Sequence, residues 1–403
     1  MARNPKRVAI SVIASTFYGR DALRGILDYY QSYANWEIHH EGGTGKVASM
    51  GSEMAILKWK AQGVLVQLTS EHLGQTIRES GIPAVDIWSE FDSGLPSVRP
   101  DDKAIGELGA QYFQSRGFRN YGWCNWSDKQ DFVFRRRDAF CQEVKRLGFN
   151  CRVYEHKERG SGWVDDLSNV IRWLRSLPKP VAVMSCNDYR ARGLVFACSR
   201  IGLRVPEEVA ILGIDNDSLE CNLCSPLLSS VIVPCRDLGY KAAALLDKMM
   251  KGGERPAKPL EIRPSGIVTR RSSDTFAVED PEIASAVQFI SDHAGELIDV
   301  SDVLSHVHIS RRSLERKFAE MFNRTPREHI LYTHVEQAKR LLENTTLKLS
   351  SVAQKSGFTP NQMFSRLFEQ VVGLSPGEYR RRTSRHGDYT NADGNADDAA
   401  RVD

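Results

Sequence analysis

The sequence predicts a two-lobed α/β domain followed by an all-α domain that carries two helix-turn-helix units in tandem. Three observations point there. Up to residue 214, β-branched runs alternate with stripes of helical period, the signature of doubly wound parallel sheets. Beyond residue 300 the strand-like runs stop, and only capped helical stripes remain. The charge changes with them: residues 301–386 hold fifteen Lys/Arg against eight Asp/Glu, whereas the whole chain of 403 residues carries a net charge of only +3. That length allows two or three domains.

In the first half, Arg7–Ser15 reads as a strand and Ala22, Ile26, Leu27, Tyr30 and Tyr33 as the apolar stripe of a helix. Trp36–His40, Val64–Leu68 and Ala84–Trp88 read as strands, with helices over Met54–Ala61 and Leu73–Glu79 between them. After Asp101 the alternation repeats. Helices are expected over Ala104–Phe113, Phe134–Leu147, Leu167–Leu177 and Ala191–Ile201; strands over Tyr121–Cys124, Cys151–Tyr154, Val181–Ser185 and Val209–Ile214. Such a long repeat implies two lobes, placed together in residues 1–272. Pro264 to Pro281 lacks periodicity and reads as a hinge, with the linker proper at 273–282. The helical domain is then 283–386. Residues 387–403, with five Asp, one Arg and no apolar pattern, are expected to be a disordered tail.

Lobed parallel sheets bind ligands at the carboxyl ends of their strands, in the cleft where the lobes meet. Those ends carry Tyr18 and Arg20 after the first strand, Asp101 after a later one, and Trp126 after Tyr121–Cys124, with Arg136 one turn into the next helix. Asn187 and Asp188 end another strand, and Asp215 ends the last. This set suits a polyhydroxylated ligand: carboxylates accept hydroxyl protons, the guanidinium donates, and rings cover an apolar C–H face. Each residue alone has a plainer explanation, because an Asp at a strand end often caps the following helix. Their convergence is what argues for a sugar site.

In the helical half, Val303, Leu304 and Val307 form one short apolar face, Ser310 caps, and Leu314, Phe318 and Phe322 recur at helical spacing. Arg311, Arg312, Glu315 and Arg316 then point away from the stripe. Arginine forks match guanine edges in the major groove, and a carboxylate accepts from cytosine. In the second unit Gly357 supplies the left-handed turn residue, Thr359 caps and Pro360 opens the helix. Asn361, Gln362, Ser365 and Arg366 face outward there. Between the units, Pro326–Glu343 reads as one helix, about 27 Å long at roughly 1.5 Å per residue, close to the pitch separating successive major grooves. The local excess of basic residues releases counterions from phosphates.

Other functions find little support. Gly42 to Ser49, GGTGKVAS, misses the spacing of a phosphate loop, and His39-His40-Glu41 lacks the helical spacing of a zinc protease. Cys221 and Cys224 form the only CxxC and have no second ligand pair, so the eight cysteines read as reduced thiols. No catalytic residues, metal or cofactor are expected. The apolar run near the N-terminus is short and alternates like a strand, so a cytoplasmic protein with no membrane contact is expected.

The helical stretch resembles the AraC/XylS-type DNA-binding domain over about ninety residues up to Arg382, most specifically in AKRLLENTTLKLSSVAQKSGF and FSRLFEQVVGLSPGEYRR. Residues 6 to 272 resemble the LacI/GalR-type effector domain, a periplasmic-binding-protein-like fold, in AVMSCNDYRARGLV, VPEEVAILGIDND and SPLLSSVIVPCRDLGYKAAALLDKMM. The resemblance implies that Asp215, Asn187 with Asp188, Arg136 and Asp101 hold a sugar. The order of the two modules, with STFYGRDALRGI and IVTRRSSDTF, is similar to that of xylose-operon regulators over nearly the whole chain. It implies a transcription activator whose partners are operator DNA, D-xylose, a second copy of the chain and RNA polymerase. Two alternatives stay open: a regulator of another pentose or small molecule, or one that represses, and an enzyme with an appended DNA-binding domain.

Overall fold

The structure is a computed structural model that describes residues 4–40, 59–68, 70–88, 93–125, 131–154, 163–278, 280–358 and 362–383. The expected helix from Met54 falls mostly outside them, as do the GGTGKVAS loop and the 387–403 tail.

Two six-stranded sheets form the effector region. The first contains β1 (Lys6–Ser11), β2 (Trp36–His40), β3 (Gly63–Val66), β4 (Ala84–Ile87), β5 (Ser97–Pro100) and β11 (Leu260–Ile262), in the order β11-β5-β4-β3-β1-β2. All its pairings are parallel. The second contains β6 (Tyr121–Cys124), β7 (Cys151–Tyr154), β8 (Val181–Ser185), β9 (Val209–Asp215), β10 (Ser229–Ile232) and β12 (Ile267–Val268), in the order β12-β10-β9-β8-β6-β7. Only β10 with β12 is antiparallel there. Strands β3, β4, β8 and β10 are buried along their whole length. β3 and β8 therefore read as short apolar runs rather than alternating ones, as strands covered on both faces do, whereas β4 and β10 also bury Asp86 and the pair Ser229 and Ser230.

Helices cover the sheets: α1 (Phe17–Tyr33), α2 (Glu71–Glu79) and α8 (Cys235–Met250) on the first lobe, and α3 (Asp102–Gln114), α4 (Asp131–Arg146), α5 (Trp163–Ser176), α6 (Asp188–Arg200) and α7 (Ser218–Asn222) on the second. The chain crosses between lobes after β5, after β10 and after β11. The strand ends that carry the expected ligand residues consequently meet at this crossover.

The helical domain comprises α9 (Pro281–Asp292), α10 (Val300–His306), α11 (Arg311–Phe322), α12 (Pro326–Asn344), α13 (Leu349–Gln354), α14 (Gln362–Val372) and α15 (Pro376–Thr383). Caps start most of these helices. Asp280 accepts from the amides of Glu282 and Ile283 with Pro281 at the first position, Asp299 and Asp302 form a capping box, and Thr325 and Glu328 form another. Ser310 accepts from the Ser313 amide at 3.2 Å. Gly357 takes φ +73°, and an added Cβ there would lie 2.4 Å from the Glu296 carbonyl; only glycine fits this turn.

Two cores result. Ile283, Val287, Ile290, Val303, Leu314, Phe318 and Phe322 pack together around the first unit. Val335, Ala338, Leu342, Val352, Phe364, Phe368 and Tyr379 pack around the second, together with Ile232 and Val268 from the effector sheet.

That last contact corrects one expectation. The stretch read as a hinge is bound along the second lobe. Residues 267–268 are its edge strand, Ser272 and Ser273 are fully buried, and the Ser272 amide and hydroxyl bond Leu227 O at 2.9 Å and Ile211 O at 2.7 Å. The Ala277 amide donates to Arg116 O at 2.9 Å, and Phe276 packs on Phe322 and His329. Serines here satisfy buried backbone groups of a neighbouring strand, a role that the lack of periodicity conceals.

Candidate functional site

The carboxyl ends of the strands enclose a cleft of about 470 Å³ with residues from both lobes. Tyr18 enters from the start of α1, Trp88 from the residue after β4, and Phe132 from the first turn of α4. Tyr18 and Trp88 lie 4.1 Å apart between ring centroids, and Trp88 and Phe132 4.7 Å. They make a continuous aromatic wall across the lobe boundary, suited to the apolar face of a sugar ring.

Behind the wall sits a buried charge cluster. Arg136 is 1% exposed and donates from Nε to Asp102 Oδ1 at 2.8 Å and from Nη1 to Cys186 O at 3.0 Å. Arg135 binds the other Asp102 oxygen at 3.0 Å. Burial opposes the charge on Arg136, and Asp102 and Asp215 more than offset it, so its pKa lies above the ordinary arginine value. Asp215 Oδ1 approaches Arg136 Nη1 only to 4.0 Å. Its carboxyl pKa is pushed up to about 7, first by burial and also by the charges of Asp217 and Asp102, with Arg136 opposing.

Asp215 and Asn216 have φ of +110° and +56°, a conformation that non-glycine residues adopt only when held. Asp188 does the holding. Its Oδ1 accepts from the Ser230 hydroxyl at 2.6 Å and its Oδ2 from the Asp217 amide at 2.8 Å. The Asn216 amide donates to Ser230 Oγ at 2.9 Å, and Arg270 Nη2 donates to Asn216 Oδ1 at 2.8 Å. A Cβ on Gly213 would fall 2.1 Å from Asp188 Oδ1, so the bare backbone of β9 is what admits this carboxylate.

Four buried polar atoms around the cleft have no hydrogen-bond partner among the described residues: Tyr18 Oη, Trp88 Nε1, Arg136 Nη2 and Asp215 Oδ1. Buried donors and acceptors are nearly always paired. A cluster that combines three donors and an acceptor beside an aromatic wall is what a polyhydroxylated ligand satisfies.

The cleft brings together Tyr18, Arg20, Asn187, Asp188 and Asp215, with Arg136 against Asp215. Their roles differ from the expectation in three places. Both Asp188 oxygens are engaged inward, so this residue positions the Asp215 turn. Arg20 is exposed and its Nη1 is tied to the Ala14 and Ser15 carbonyls at 3.1 and 3.0 Å, bracing the loop before α1. Asp101 lies off the cleft: it caps α3 by accepting from the Ala104 amide at 2.9 Å and stands 3.9 Å from Arg263. The buried carboxylate that holds Arg136 is the next residue, Asp102. A capping side chain must turn back to its own helix amides, which leaves the first helical position to face α4. Asn187 also caps: its Oδ1 accepts from the Arg190 amide at 2.9 Å. Trp126 is outside the described residues. Trp88, Phe132 and Asp102 were missed; Trp88 was visible as the end of a strand, and Phe132 as part of the loop-to-helix segment after Trp126.

On the helical domain, Arg311, Arg312, Glu315 and Arg316 are exposed on α11, and Ser365 and Arg366 on α14. Asn361 is outside the described residues, and Gln362 is the first residue of α14. Arg311 pairs with Glu315 at 3.0 Å and Arg316 with Glu320 at 2.8 Å, along the helix. Arg316 also lines a groove of about 420 Å³ against Gly117, Arg119 and Asn120 of the effector lobe. Arg312 and Arg366 are in no ion pair among the described residues, one on the outer face of each unit. No helix of the described residues is long and apolar enough to cross a membrane.

Known proteins bear on these two sites. A family described as a periplasmic binding protein-like domain matches residues 110–273, and a helix-turn-helix domain family matches residues 303–382. The chain is similar to the xylose operon regulatory protein of Haemophilus influenzae, 27% identical over 93% of this chain and 98% of that one. It is likewise similar to that of Escherichia coli K12, 29% identical over 93% and 96%. Among solved structures, a xylose-binding transcription activator, XylR, superposes with a TM-score of 0.61 at 26% identity, covering 95% of this chain and all of that one. With both domains matched in the same order, this chain is a DNA-binding transcriptional regulator, similar over nearly its whole length to xylose operon regulatory proteins.

Proposed function

We propose that the chain binds D-xylose in the interlobe cleft and, in response, changes how its two helix-turn-helix units engage operator DNA so as to activate transcription. The observation that carries this is the set of four unpartnered polar atoms around the aromatic wall, in a protein similar to one described as xylose-binding. Tyr18, Trp88, Arg136 and Asp215 are the contacts we assign to the sugar, Asn187 offers its amide nitrogen, and Asp102 and Asp188 hold the contacts in place. Coupling to DNA requires the sugar to prefer one arrangement of the molecule over another. Arg312, Arg366 and the outward residues beside them are assigned to base edges, and the remaining basic residues to phosphates.

The chain acts as a homodimer in this reading, since operators of such regulators are read as paired half-sites. Phe196, Leu219 and Leu223, 48%, 61% and 62% exposed on the second lobe, offer an apolar surface for pairing. RNA polymerase is the further partner of an activator, and the cytoplasm is where both are found. No catalytic role is assigned to any residue. The test is calorimetry with D-xylose: wild-type protein binds, and Asp215→Ala loses binding while retaining basal operator affinity. Unchanged sugar binding in the variant would end this assignment.

A further inference from the structure

A second cavity, of about 290 Å³, lies where the effector lobe meets the helical domain, and it shares no residue with the sugar cleft. Its charged lining is Arg116, Asp274, Arg324, Glu336, Lys339 and Arg340. Lys339 pairs with Glu336 at 2.7 Å and Arg340 with Asp274 at 3.3 Å. That leaves Arg116, from the effector lobe, and Arg324, from the turn between α11 and α12, in no ion pair among the described residues.

Arg116 is only 8% exposed, and its Nε is buried without a hydrogen-bond partner. Its guanidinium lies 3.9 Å over the Tyr112 ring, and Nη2 reaches Thr269 Oγ1 at 3.4 Å. Arg324 stacks 4.0 Å over Tyr332. Its pKa is lowered, first by burial and also by the charge of Arg116. His329, 2% exposed, lines the same cavity with its Nδ1 buried and unpartnered. Burial and the two arginines hold its pKa down at about 3, so it is neutral and one ring nitrogen can donate without adding charge. Two guanidinium groups thus face one cavity from different domains, neither in an ion pair among the described residues; the Glu336 carboxylate that both sense is already held by Lys339 and Thr269, and an unused imidazole nitrogen lies beside them.

We propose that this cavity binds a small, doubly charged oxyanion of the phosphate type, held between Arg116 and Arg324 with His329 as a third contact. A tetrahedral dianion presents enough oxygens for two guanidinium forks at once, which a halide cannot. Because its contacts come from both domains, binding favours the docked arrangement of effector lobe and helical domain, and the stabilisation rises with the logarithm of anion concentration above its Kd.

The probe is inorganic phosphate, added to the full chain without sugar, against chloride at matched ionic strength. Phosphate is expected to raise Tm and to give a saturable calorimetric isotherm. Arg116→Gln and Arg324→Gln should each weaken it at least tenfold, and Arg324→Lys should recover part of the loss while melting cooperatively. Equal effects of phosphate and chloride would overturn the proposal, as would an unchanged phosphate isotherm in both glutamine variants. If a short DNA duplex displaces the phosphate competitively, the bound group belongs to a DNA backbone, and the free-anion assignment fails.

Discussion

At Asp215 the sugar contact proposed for it conflicts with stability. Its carboxyl titrates near 7 in the folded chain, against about 4 in the unfolded one. The folded state therefore holds the proton more tightly, and stability contributed by this group is present below about pH 4 and declines as pH rises toward 7. Asp215→Asn removes the charge but keeps the shape. Without sugar, the variant should melt above wild type at pH 8, by about 1–3 kcal/mol at 1.36 kcal/mol per pKa unit, discounted for a side chain that is 21% exposed. The difference should vanish near pH 4, and urea melts at both pH values check it. A lower-melting variant at pH 8 would mean that the charge is already satisfied in the free protein. The same scale shows how far sequence reasoning reaches a site. Asp215, Arg136 and Tyr18 were legible because strand ends and helix starts place them. Asp101 and Asp102 were not separable, because identical side chains one residue apart differ only in which way a cap turns.

At the scale of elements, caps and apolar spacing made the helical domain readable. The starts at Arg311 and Pro326 are set by Ser310 and Thr325, and the Gly357 turn by its positive φ. The short strands were less legible: β11 and β12 have three and two residues, too few for a period of two to register, and β5 (SVRP) and β10 (SSVI) lack the apolar run that marks β3 or β8. On the recognition faces, the pairs Arg311–Glu315 and Arg316–Glu320 must be broken or shared before those arginines can reach bases, whereas Arg312 is free to do so. Arg312→Ala should therefore cost about 1–3 kcal/mol of operator binding and relax specificity at one base position. Binding measured across single-base operator variants checks this. A loss that is uniform over all sequences would reassign Arg312 to a phosphate.

Over the whole molecule, the decisive feature is that the DNA-binding domain is docked. Ile232 and Val268 belong to the second effector sheet and to the core of the second helix-turn-helix unit at once. Thr269 Oγ1 donates to Glu336 at 3.0 Å, and the Ala277 amide, just before the helical domain, donates to Arg116 O at 2.9 Å. Val268→Ser should weaken this shared core by about 1–2 kcal/mol, through lost apolar burial and an added polar group. Scanning calorimetry should then show the helical domain unfolding earlier, apart from the effector lobes; a single transition moved as a unit would argue that the domains stay coupled by other contacts. By itself the sequence determined the two lobes, the two helix-turn-helix units, their order and the placing of Tyr18, Arg136 and Asp215 at the cleft, because these follow from local period, capping and strand ends. Which carboxylate holds Arg136, the inward turn of Asp188, the aromatic wall of Trp88 and Phe132, and the packing of the supposed hinge were decided only by tertiary structure. Each of those depends on what lies across a gap in space from a residue far away in the chain, and local pattern carries no record of that neighbour.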